Sequence, residues 1–358
     1  MGIKNINTFL KTKCPNIFKT IKISELKKTN VAIDAAEWVH RNYAVATKEV
    51  INQMKNPLDD IDNEKVIRST IKYLINFIVK WYKKDIHLIW CWDAENNTNK
   101  INEKSRRYKK TLKIKDKIED ERKRLIDKYI ENSYSIEEKN KDLDKFRKLL
   151  SQYTYISKEN ILLFKHFISD LGFISIQSST EGEKIASILA QENVCSAVWS
   201  NDTDNYALGT PLLITGLYGK EDNEEIYSVV YLSDILDSLS ILANKTIKFK
   251  TFVDFCIMCG TDFNENIKNI GPMKSWDLIK HYETIENIKL NNPKIMISSL
   301  NCKITRQMFA YEKSNVEKSS LVFDLNKFNI NLGRILNEFN IIYLYNKFHD
   351  EINNIFKR

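Results

Sequence analysis

An α/β fold with a mostly parallel sheet and an appended helical region is predicted by three features of the chain. Short β-branched and aromatic runs end on aspartate: Val31-Ala32-Ile33-Asp34, Leu88-Ile89-Trp90-Cys91-Trp92-Asp93, and Ala197-Val198-Trp199 followed by Asp202 and Asp204. Unbroken apolar runs of this length suit strands buried on both faces, as in parallel sheets. Helical apolar spacing falls between them, as at Ile67, Ile71, Leu74, Ile75 and Ile78, and the chain from Phe252 onward reads as helical. No repeat and no clear linker divides the 358 residues, so one α/β body with a helical extension is expected.

In order, an opening segment carries Phe9 and Leu10, the strand to Asp34 follows, and a helix runs through Trp38 and Tyr43. Residues 48–64 are polar and read as loop, and 66–84 read as an amphipathic helix before the strand ending at Asp93. Residues 100–150 are charged and helix-prone with few apolar anchors, so helices there are expected to project from the body. A helix over 161–171 ends at Gly172 as a C-cap, 173–176 form a short strand, and Thr180-Glu181-Gly182-Glu183 opens a helix through Ala190. The third acidic strand and residues 211–218 complete the sheet.

Composition is that of a soluble globular chain, 43% hydrophobic and 28% charged. Charges interrupt every apolar stretch before about 18 residues, so no membrane helix is expected. Residues 1–12 hold no secretory apolar run, and Ile6 stands where a myristoylation signal needs Ser or Thr. An intracellular protein, nuclear or cytoplasmic, is expected. Cys256-Ile257-Met258-Cys259 has no second Cys or His pair at zinc-site spacing, and the six cysteines read as core thiols. The net charge of +8 suits a polyanionic partner. Basic residues concentrate between 100 and 128, a stretch that reads equally as a solvated helix or a nucleic-acid surface.

Parallel strands share one carboxyl edge, where α/β folds place ligands. Carboxylates gathered there repel one another unless a cation neutralises them, and hard oxygen donors suit Mg²⁺ or Mn²⁺. Each acid alone has a plainer reading. Thr180-x-x-Glu183 is a capping box, Asp202 and Asp204 fit an Asx turn, and Asp262 fits a helix-end cap. The case for metal-assisted chemistry rests on the set.

Val31-Ala32-Ile33-Asp34-Ala35, Thr180-Glu181-Gly182-Glu183, Asn201-Asp202-Thr203-Asp204 and Gly260-Thr261-Asp262 resemble the signature blocks of the flap endonuclease (XPG) family of structure-specific 5′ nucleases. Met1-Gly2-Ile3 and Ile267-Lys268-Asn269-Ile270-Gly271-Pro272-Met273-Lys274 extend the resemblance, which runs to about residue 285. It implies a PIN-like 5′ nuclease fold with a nuclease region over 1–99, a helical arch over 100–160 and further nuclease residues over 161–250. A helical region with a helix–two-turn–helix element would occupy 251–358. It further implies two Mg²⁺ (or Mn²⁺) held by Asp34, Asp93, Glu181, Glu183, Asp202, Asp204 and Asp262, and hydrolysis leaving a 5′-phosphate and a 3′-hydroxyl.

Lys100 and Arg107 follow Asp93 by seven and fourteen residues, and the resemblance gives them phosphate contact and transition-state charge stabilisation. The same resemblance assigns DNA contact to Gly2, His40, Lys268, Gly271 and Lys274, with K⁺ as a further ligand at the 270–272 turn. Lys104, Arg106 and Lys110 are DNA-contact candidates from the basic stretch itself, whose residues do not align one to one with those of the family's arch. The arch segment is longer than in the cellular enzymes, and His40 stands where the family usually has a stacking aromatic. The implied partner is branched or flapped DNA, bound by a monomer. No sliding-clamp motif is recognisable in the tail, and the Lys-, Asn- and Ile-rich composition suggests a viral or AT-rich genome. The location would be a viral factory if the chain is viral. A Holliday-junction resolvase or 5′ exonuclease of the same superfamily, and a non-catalytic DNA-binding scaffold, are the alternatives.

Overall fold

The computed structural model describes residues 2–94, 101–130 and 135–356. The chain opens with helix α1 (Ile6–Lys13), edge strand β1 (Phe18–Lys22) and strand β2 (Thr29–Asp34). Helices α2 (Ala35–Gln53) and α3 (Asn63–Tyr82) lead to β3 (Ile86–Trp92). Next come α4 (Ile101–Ile130), α5 (Ile136–Leu150) and α6 (Lys158–Asp170). The sheet continues through β4 (Ser175–Gln177), α7 (Gly182–Gln191), β5 (Ala197–Trp199), the short α8 (Asp204–Ala207), β6 (Leu212–Glu221) and β7 (Glu224–Tyr231). Then follow α9 (Leu232–Ala243), α10 (Phe249–Cys259), α11 (Pro272–Tyr282), α12 (Ile285–Asn291) and α13 (Cys302–Phe309), with α14 (Leu325–Glu338) and α15 (Tyr345–Phe356) last.

The seven strands lie in the order β1-β7-β6-β5-β2-β3-β4. β2 is parallel to β3 and β5, and β3 to β4, while the β6–β7 hairpin and β1 add antiparallel pairs at one side. Register places Ile33 opposite both Trp90 and Trp199, so the three acid-ended strands finish at one edge, as the sequence predicts. Side chains alternate between faces. Val31, Ile33, Trp90 and Trp199 enter one core, whereas Ala32, Ile89, Cys91 and Val198 enter the other. Both faces are covered, which is why the strands read as continuous apolar runs.

The first core is aromatic, with Trp90, Trp81 and Phe77 packed edge-on or tilted around Trp38, Trp199 and Tyr227. It also takes Phe328, Leu332 and Phe348 of α14 and α15. Helices α10 to α13 join the opposite core, where Cys256 and Cys259 are buried thiols pushed upward in pKa by burial, as core cysteines should be. The expected helical extension is thus divided between the two faces of the sheet.

Three readings of the sequence are corrected. Residues 48–53 continue α2 and are not loop, because Val50 and Ile51 carry its apolar face inward. The antiparallel strands β1 and β7 were not anticipated, because Lys19, Thr20 and Lys22 in the first and Glu224, Glu225 and Ser228 in the second break up their apolar residues. Helices α4 and α5 do not simply project: Ile118, Leu125, Phe146 and Leu150 close a small core of their own over Ile51 of α2. Few apolar anchors suffice when two helices share them.

Candidate active site

β2 ends in Asp34, whose Oδ1 accepts from the Glu37 N–H at 3.0 Å and caps α2, while Ser200 Oγ donates to Oδ2 at 3.3 Å. Asp93 follows β3 and its Oδ1 accepts from the Gly182 N–H at 2.7 Å. That bond ties the end of β3 to the first turn of α7, which carries Glu181 as N-cap and Glu183 one residue inside. The capping-box reading of Thr180 and Glu183 is therefore not realised, since the helix begins one residue later than such a box requires. Gly182 makes the junction possible: a Cβ there would lie 2.6 Å from the Cys91 carbonyl oxygen.

After β5, the Asp202 N–H donates to Ser200 Oγ and the Asp204 N–H to Asp202 Oδ1 at 3.1 Å, an Asx-type turn that aims both acids. Gly2 packs directly behind them. Its φ of +82° favours glycine, and a Cβ would sit 2.1 Å from Asp202 Oδ1. The Ile3 N–H donates to Thr203 Oγ1 at 2.8 Å and the Lys4 N–H to the Gly260 carbonyl at 2.8 Å, clamping the amino-terminal segment between two acid loops. Asp262 follows Gly260, and Arg107 Nη2 of α4 donates to its Oδ2 at 2.7 Å.

Asp34, Asp93, Glu181, Glu183, Asp202 and Asp262 line one cleft of about 630 Å³ at the carboxyl edge of the sheet. Asp204 is fully buried behind Asp202. Burial pushes the Asp34 carboxyl well above the usual carboxylate range, reinforced by the charges of Glu183, Asp93 and Glu37. Two carboxylates about 4 Å apart repel by roughly 4 kcal/mol at an effective dielectric of 20, so one arginine cannot offset the whole set. The donors are all oxygen, without sulfur among them, which fits Mg²⁺ or Mn²⁺ and not a softer ion. Among the described residues no three acids already stand as a finished ligand cage.

Lys100 and the side chain of Lys104 lie outside the described residues. Arg107 lies in the cleft, and Arg106 and Lys110 are exposed on α4. His40 lines the cleft; burial lowers its pKa, Asp93 opposes this and Arg107 adds to it, so its surroundings favour the neutral ring. Lys268, Gly271 and Lys274 are exposed at the start of α11, with Gly271 as N-cap. No atom stands within 4 Å of a Cβ built at Gly271, and Lys274 Nζ donates to the Asn269 carbonyl at 3.3 Å.

Family models for the XPG N-terminal domain and the XPG I-region match residues 1–114 and 172–262. The chain belongs to the XPG family. The two matched regions carry every acid of the cleft, and α4 begins inside the first. "Probable RAD2-like endonuclease 369L" of Invertebrate iridescent virus 6 is 27% identical over 365 residues, spanning 88% of this chain and 81% of that protein. Flap endonuclease 1 of Theileria parva is 25% identical over 289 residues, 80% of this chain, which spans only about half (52%) of that longer protein. Flap endonuclease-1 from Methanococcus jannaschii shares the fold with a TM-score of 0.60 at 20% identity over 96% of both chains. The catalytic core of Rad2 in complex with DNA substrate does so at 0.60 and 13% identity, over 99% of this chain and 100% of that one. The PIN-like nuclease fold implied by the sequence is therefore the observed one.

Two further cleft residues of this XPG-family chain were missed in the sequence, Glu37 and Arg41 of α2. Burial raises the Glu37 pKa, with Asp202 adding to the rise while Arg41 and Asn201 oppose it. Their positions three and seven residues after Asp34 put them on the helix face beneath the acid, and that spacing was the available signal.

Proposed function

We propose that this chain is a divalent-metal-dependent, structure-specific hydrolase of branched DNA. It would act as a 5′ flap endonuclease and 5′→3′ exonuclease in replication, repair or recombination, leaving 5′-phosphomonoesters. The observation that carries the reading is the cleft in which seven acids from five chain segments, Asp34 with Glu37, Asp93, Glu181 with Glu183, Asp202 and Asp262, are gathered beside Arg107. The RAD2-like and flap endonuclease 1 proteins it resembles support the same reading. Asp34, Asp93, Glu181, Glu183, Asp202, Asp204 and Asp262 would hold two Mg²⁺ (or Mn²⁺), which supply charge neutralisation and water activation for in-line displacement at phosphorus.

The chain's own groups bind and orient. Arg107, with 40% of its side chain exposed, can turn its guanidinium fork from Asp262 to two phosphate oxygens and stabilise charge that grows in the transition state. Lys100 is assigned the same task from its sequence position. Lys104, Arg106 and Lys110 of α4 track the phosphates of the 5′ strand. The first turn of α11 offers backbone N–H groups beside Lys268 and Lys274 to the duplex, with K⁺ at the 270–272 turn.

A labelled 5′ flap, a nicked duplex and a four-way junction incubated in Mg²⁺ test this reading. Cleavage at the flap junction, abolished in Asp202→Asn, is expected. Preferential cutting of the four-way junction would move the assignment to a resolvase, and undiminished cutting by Asp202→Asn would remove the metal assignment.

A further inference from the structure

Tyr108 and Tyr155 line the same cleft as the acids yet belong to neither core and to no charge network described above. Tyr108 follows Arg107 on α4 and is 57% exposed; Tyr155 lies in the connection between α5 and α6 and is 49% exposed. Large rings left half-open inside a concave, charged site are more informative than the same rings scattered on a convex surface.

Tyr155 is held in place. Leu150 and Ile156 are buried before and after it, and the Tyr153 ring stacks on it with centroids 6.3 Å apart at 29°. The connection is tightened by the Ser151 N–H donating to the Arg147 carbonyl at 3.0 Å and the Tyr153 N–H to the Leu150 carbonyl at 2.9 Å. Arg147 Nη2 fixes the end of α5 to the Met54 carbonyl at 2.9 Å. A ring fixed in this way loses little conformational freedom when a ligand covers it.

The surroundings choose the ligand. The acids and Arg107 serve a phosphate through bound cations, whereas the two half-exposed rings beside them offer a π face, which a neutral nucleobase can cover. Arg106 and Lys110, four residues apart on the neighbouring face of α4, are exposed where a phosphate backbone would run. Aromatic faces inside and cations outside is the arrangement that holds unpaired strands.

We propose that Tyr155 and Tyr108 form a stacking platform for unpaired nucleobases of the strand that crosses the cleft, making ring contact a determinant of the protein's choice of single-stranded 5′ segments. This rests on the reading of the chain as a DNA nuclease and names how that site recognises its strand.

The test is binding of the full chain, in Ca²⁺, to a 5′-flapped DNA with natural bases and to the same DNA with abasic flap residues. Tyr155→Ala is expected to weaken binding of the natural flap about ten-fold, an effect of ordinary size for base–aromatic stacking. Tyr155→Phe should bind as the wild type does, and Tyr108→Ala should lose less. Wild-type protein should bind the abasic flap at least as weakly as Tyr155→Ala binds the natural one, and the gap between the two DNAs should be smaller for Tyr155→Ala than for the wild type. Equal losses on both DNAs, or no loss at all, overturns the proposal; so does a Tyr155→Phe variant as weak as Tyr155→Ala. Cleavage of the natural flap by wild-type protein in Mg²⁺ is read in parallel. Failure there overturns the nuclease reading, while the abasic comparison still decides whether the rings read bases.

Discussion

Replacing Gly182 by alanine isolates how closely α7 is fitted to the sheet. The added Cβ would lie 2.6 Å from the Cys91 carbonyl oxygen and 3.1 Å from the carbonyl carbons of Cys91 and Trp92. All three belong to β3, which is paired on both sides with β2 and β4, so the helix rather than the strand must give way. Overpacking of this kind costs about 1–3 kcal/mol, and the better helix propensity of alanine returns at most about 1. A net loss of roughly 1–2 kcal/mol lowers Tm by only a few degrees in a chain of this size. The catalytic consequence is larger, because Glu181 and Glu183 flank the substituted residue and move with it. Displacement of about 1 Å at a reacting centre costs on the order of 100-fold in rate. Circular dichroism melts and kcat/KM for flap cleavage over a Mg²⁺ titration should therefore show a small stability loss beside a large rate loss. A variant with wild-type turnover, or a rate loss no greater than its unfolded fraction, refutes the reasoning.

Asp34 gives a pH signature in EDTA. Its folded carboxyl holds a proton more tightly than the unfolded one, so its contribution is full at low pH and is lost as pH rises from about 3.9 through the raised folded value. Tm in EDTA should fall as pH rises above the ordinary carboxylate value of about 3.9, Asp34→Asn should flatten that slope, and Mg²⁺ should oppose it by binding the native state; a slope unchanged in Asp34→Asn contradicts the assignment. Phe348→Ala empties a fully buried position of α15 and should cost about 3–5 kcal/mol in urea unfolding, against near zero for a dispensable tail. The Lys268→Ala/Lys274→Ala double variant should weaken duplex binding and reduce the slope of log K against log salt by about 1–2, and an unchanged slope removes α11 from the interface.

The acid-ended strands were legible because burial on both faces forces continuous apolar runs, and the shared edge follows from parallel pairing. The acids of the cleft were legible as a set, since Asp34, Asp202 and Asp262 each have an ordinary local reading. Glu37 and Arg41 were hidden because their spacing matters only once Asp34 is known to cap α2. β1 and β7 bury side chains on both faces, as with Val229 and Val230, while polar residues interrupt their apolar runs, so neither an alternation nor an unbroken run marks them. The split of the carboxyl-terminal helices was not legible at all: α13 and α14 have similar amphipathic patterns, and only tertiary packing decides which face of the sheet each covers.

The clamp on the amino-terminal segment has a consequence for the order of assembly. Gly2 to Lys4 are seated by Thr203 and Gly260, partners some 200 and 256 residues away. At the other end, Phe356 packs on Tyr82 and His87 of the central region. Contacts of such separation form after local ones, because long loops must close before they are rewarded. On a ribosome the acids of β2 and β3 emerge early, but the loops that fix Asp202, Asp204 and Asp262 cannot be locked until the distant partners are made. A chain still being synthesised thus lacks the contacts that seat Asp202, Asp204 and Asp262 together, however early the acids of β2 and β3 emerge.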